Sequence, residues 1–71
     1  MNDLGPDPET QLRDRLAAAR QEHADLDVAV QAISAMPTPS LGTLGRLKRR
    51  KLALKDEIAA LEDQLTPDII A

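Results

Sequence analysis

The sequence predicts an all-α protein: an antiparallel two-helix hairpin, coiled-coil-like, that self-associates into a helical bundle. Three observations predict it. Two stretches each carry an unbroken aliphatic seam at heptad spacing, a segment holding Pro37, Pro39 and Gly42 separates them, and the charges of the two stretches are segregated in opposite order. The composition agrees. Phe, Tyr, Trp and Cys are all absent, and 42% of the 71 residues are hydrophobic, so the apolar content is aliphatic. Such a composition suits helices packed through Leu and Ala and excludes a disulfide framework or a thiolate metal site.

Residues 1–6, with Gly5 and Pro6 and no periodic pattern, read as a disordered tail. The first helix is expected over residues 7–35. Asp7 is a good N-cap, Pro8 is tolerated in the first turn, and Glu9 places a carboxylate at the positive end of the dipole. Its seam is Leu12, Leu16, Ala19, His23, Leu26, Val30 and Ile33, spaced 4, 3, 4, 3, 4, 3. Pro37 and Pro39 remove backbone donors and disfavour helix in the residues before them, so residues 36–43 are read as a loop, with Ser40 and Thr43 both candidates to cap the second helix. That helix is expected over residues 44–65, with the seam Leu44, Leu47, Lys51, Leu54, Ile58, Leu61 and Leu65, and it stops at Thr66-Pro67. Residues 66–71 form a C-terminal tail whose Ile69-Ile70-Ala71 end reads equally as a docking segment or as a free apolar tail.

At 1.5 Å per residue the helices are roughly 40 and 33 Å long, and a short loop between them favours an antiparallel pair. Folding about the loop sets Ile33 beside Leu44, Val30 beside Leu47, Leu26 beside Lys51, His23 beside Leu54, Ala19 beside Ile58, Leu16 beside Leu61 and Leu12 beside Leu65. Charge supports the same orientation. Residues 22–35 carry Glu22, Asp25 and Asp27 and no Lys or Arg; residues 44–55 carry Arg46, Lys48, Arg49, Arg50, Lys51 and Lys55 and no acid; residues 56–65 carry Asp56, Glu57, Glu62 and Asp63 and no base. An antiparallel hairpin lays acid against base, whereas a parallel one opposes like charges. At residue level Asp27 with Lys48 and Arg13 with Glu62 look favourable, while Arg20 with Lys55 and Glu22 with Glu57 would repel.

The stretch "EHADLDVAV" (Glu22 to Val30), joined with "LKRRKLALKDEI" (Leu47 to Ile58), resembles the YdcH-like family of small bacterial proteins of unknown function. The resemblance spans about residues 12–62. It implies a cytoplasmic, self-associating helical hairpin with no assigned activity.

Few residues suggest chemistry. His23, one turn before Asp27, is read as a polar seam residue that sets register, and Lys51 as the matching interruption on the second helix, reaching past Leu26 to solvent or Asp27. A lone His offers too few ligands for zinc, so no cofactor is expected. Arg46, Lys48, Arg49 and Arg50 are the candidate nucleic-acid contacts, but they lack interleaved aromatics and a Gly-rich phosphate loop, so charge pairing within or between hairpins is preferred. Val28 and Leu52 fall outside the seams and are candidate oligomer contacts, in a dimer or tetramer. Ser34, Ser40 and the threonines have no matching His and acid partners, so an enzyme is not expected. The N-terminus lacks the pattern of a secretory signal, and no run is apolar enough to span a membrane; the reading is a soluble, cytoplasmic interaction or adaptor module.

Overall fold

A computed structural model describes residues 7–66, which form two helices, α1 (Pro8–Ser34) and α2 (Leu41–Leu65), packed against each other as a hairpin. The tail readings at residues 1–6 and 67–71, including Ile69-Ile70-Ala71, lie outside the described residues. The pairing is antiparallel: early α1 meets late α2, as in the Arg20–Glu62 ion pair, and Leu12 and Leu65 line one cleft at the open end.

Asp7 caps α1 in an extended backbone conformation, its carboxylate accepting from the Thr10 N–H at 2.8 Å. Glu9 sits in the first turn, where it favours the dipole and pairs with Arg13 at 2.6 Å. The helix ends at Ser34, with Ala35 as C-cap and the Met36 N–H bonded back to the Ile33 carbonyl, just before Pro37 forbids another turn.

The second helix starts three residues before the expected Leu44. Ser40, not Thr43, is the cap: its hydroxyl accepts from the Thr43 N–H at 3.3 Å, and its carbonyl accepts from the Leu44 N–H at 3.0 Å. Ser40 holds the extended backbone a cap needs, and nothing in Leu41-Gly42-Thr43 resists a first helical turn. The connection shortens to residues 35–40, and Leu41 is carried into the first turn, 77% exposed.

Burial follows the two seams. Leu16, Ala19, Leu44, Leu54 and Leu61 are buried, and the other seam residues, Leu12, His23, Leu26, Val30, Ile33, Leu47, Lys51, Ile58 and Leu65, are half-buried. Two helices can enclose only the centre of their contact, so the flanks of the seam stay open to solvent. The deepest side chains are Leu54 and Leu61, at 1% and 2% exposure. Leu54→Ala should therefore cost about 2–4 kcal/mol in a denaturant titration monitored by circular dichroism. Ser40→Ala should cost about 1 kcal/mol in the same measurement, by removing the α2 cap.

Candidate interaction surface

The charges of α2 divide by the direction in which the helix presents them. Arg50 and Lys51 turn toward α1. The Arg50 guanidinium forms a two-pronged contact with Glu22, Nε to Oε2 at 2.9 Å and Nη2 to Oε1 at 3.0 Å. Lys51, although on the seam, sends its Nζ to Asp27 Oδ1 at 2.8 Å, which pairs its charge while the side chain as a whole stays only 27% exposed. At the far end of the hairpin Arg20 pairs with Glu62.

Lys51, expected to reach solvent or Asp27, pairs with Asp27; the other partners differ from those expected residue by residue. Asp27 takes Lys51 rather than Lys48, because the seam lysine must leave the apolar strip and Asp27 is the acid within reach. Arg13 is held locally by Glu9, which leaves Glu62 to the long side chain of Arg20. The expected clashes do not arise as pairs, since Glu22 meets Arg50 and Arg20 meets Glu62. The block pattern of charge is thus satisfied by flexible side chains spanning about a helical turn in either direction.

The pairing shifts the carboxylates. A hydrogen bond from Lys51, then its charge, then that of His23 hold Asp27 below its ordinary 3.8; a hydrogen bond from Arg50 holds Glu22 below 4.5; Thr10 does the same for Asp7 at the helix cap. Glu22 in turn holds the Arg50 guanidinium more firmly charged.

The rest of the basic cluster points elsewhere. Arg46 donates to the Thr43 hydroxyl at 3.3 Å, and among the described residues no ion pair involves Arg46, Lys48, Arg49 or Lys55. Of the four candidate nucleic-acid contacts, Arg50 is therefore engaged within the hairpin and three cations face solvent.

Lys48 and Lys55 line a groove of about 610 Å³ along one flank of the seam, together with His23, Val30, Lys51, Leu52 and Ile58. Val30 and Ile58, read as core, thus belong to its apolar lining while remaining half-buried. His23 and Lys51, read as the two polar interruptions, both open onto it. Leu52, 60% exposed, belongs to the groove as well; Val28, 68% exposed, is not among its lining residues. The groove escaped sequence reading because it is made by half-buried flanks of the seams, which a heptad assignment counts as interior. Its one advance signal was Leu52, an apolar residue at an outward position.

Among the described residues no cluster of three or more His, Cys, Asp or Glu is placed to hold a metal, and no helix is long and apolar enough to cross a membrane.

Because the three shifted carboxylates have lower values folded than unfolded, their contribution to stability is fully present above the unfolded values of about 4 and is lost as pH falls through the folded ones. The midpoint of thermal unfolding should therefore be lower at about pH 3 than at pH 7, and Glu22→Gln should narrow that difference.

The profile of a family described as a protein of unknown function, DUF465, matches residues 16–62. No curated protein and no solved structure matches the chain. The match takes in most of both seams, the His23–Asp27 turn and the whole basic-to-acidic switch of α2, so the chain belongs to the DUF465 family, the YdcH-like family of small proteins of unknown function.

Proposed function

We propose that the hairpin is a non-catalytic cytoplasmic interaction module that self-associates and presents charged helical surfaces to a protein partner. The observation that carries this reading is the mismatch between its interior and its surface. Among the described residues five aliphatic side chains are buried, while Val28, Met36, Leu41 and Leu52 are each more than half exposed. A two-helix layer has a single seam to bury, and further stability for so short a chain comes from covering another face. The groove, lined by apolar residues and lysines, has the chemistry of a helix-docking surface and lacks a nucleophile with an acid and base beside it. Register is proposed to be set by the Lys51–Asp27 pair and His23, which make any slip of one helix past the other lose a charged contact.

Sedimentation equilibrium tests the reading directly, with interference optics because the chain has no Trp or Tyr. A mass of two or four chains is the expected result, and a monomer at all concentrations would contradict it. In the same preparation, single-stranded RNA at low salt should show no retention; binding that disappears in R49E/R50E with helicity intact would replace this reading with a nucleic-acid one.

A further inference from the structure

The charges that the hairpin leaves unpaired are sorted along α2. Lys48, Arg49 and Lys55 lie on its N-terminal side, Asp56 and Asp63 on its C-terminal side, and none of them takes part in an ion pair among the described residues. The change of sign falls between Lys55 and Asp56. One helix cannot satisfy this pattern within itself, and α1 has already supplied Glu22 and Asp27 to Arg50 and Lys51. A second α2 running the opposite way can.

The outer side of α2 also carries a second stripe at heptad spacing, Leu41, Gly45, Lys48, Leu52, Lys55 and Ala59, spaced 4, 3, 4, 3, 4. Leu52, Lys48 and Lys55 of this stripe line the groove on the seam's flank. Resting on the self-association already proposed, we infer that two copies pair antiparallel through this stripe, with the two-fold axis at the Lys55–Asp56 boundary. Residues equally far from that boundary then come level: Lys55 with Asp56 of the second copy, Lys48 with Asp63, and Leu52 with Ala59. Each contact occurs twice, the contact closes on itself, and the small Ala59 leaves room for the Leu52 side chains at the edge of the groove. A parallel pairing of the same stripe would oppose the basic blocks. The occupant of the groove flank is thus a second copy of this chain, seated by matched charge and two exposed leucines.

The test is the dimer dissociation constant from sedimentation equilibrium, with circular dichroism confirming that each variant keeps its helices. Leu52 and the charges are exposed in the hairpin, so their replacement is not expected to unfold it. Leu52→Asp should weaken the dimer roughly 100-fold, and Val28→Asp should leave it unchanged. Lys48→Glu or Asp63→Lys alone should weaken it about tenfold, and K48E/D63K should restore it, which a general loss of charge or solubility would not do. Wild-type dimers that ignore L52D, or singles that the double variant fails to rescue, overturn this interface while leaving self-association standing. A wild-type monomer overturns both.

Discussion

The hairpin of the described residues depends on one strip of aliphatic contact between its two helices. With no aromatic residue, no cysteine and no second layer, the seam from Leu12–Ile33 to Leu44–Leu65 is the only place where the described chain buries side chains from water. Its central leucines, Leu54 and Leu61, are almost completely enclosed, and the residues to either side are not. Helix boundaries, charge placement and the groove all stem from that geometry. The caps at Asp7 and Ser40 set where the rods begin, the prolines at 37 and 39 set where they turn, and the lengths of the rods match so that the seams overlap.

Charge works on this strip from the outside. Arg50–Glu22, Lys51–Asp27 and Arg20–Glu62 link the helices across the edges of the seam, all at exposed or partly exposed positions. Exposed pairs of this kind contribute modestly to stability, commonly less than about 1 kcal/mol each. They also set acid against base across the antiparallel pair, whereas a parallel pair would oppose like charges. Lys51 shows the compromise most clearly, since it interrupts an apolar line in order to reach a carboxylate on the other helix.

The architecture was legible because a heptad pattern, two prolines and two segregated charge blocks all point to the same hairpin, and each is a local signal. The start of α2 was less so. Ser40 and Thr43 are both able to cap a helix, and the choice between them rests on backbone conformation after Pro39, which residue identity alone does not settle. Individual ion pairs were legible only in part: side chains as long as Arg and Lys span a helical turn, so the sequence offered Asp27 both Lys48 and Lys51, and it did not single out Arg50–Glu22 or Arg20–Glu62. The groove was hidden for a different reason. Periodicity marks Val30 and Ile58 as inward-facing, yet in a two-helix layer both stay half-buried and line the open flank.

The short connection has a bearing on how the chain reaches this state. Because residues 35–40 join the helices, pairing the end of α1 with the start of α2 closes a loop of only about ten residues, the smallest entropic cost along the hairpin. Pairings farther from the bend, out to Leu12 and Leu65, close progressively longer loops. The closure entropy of the layers therefore rises from the bend toward the open end, and it is greatest for Leu12 and Leu65, which lie farthest apart along the chain.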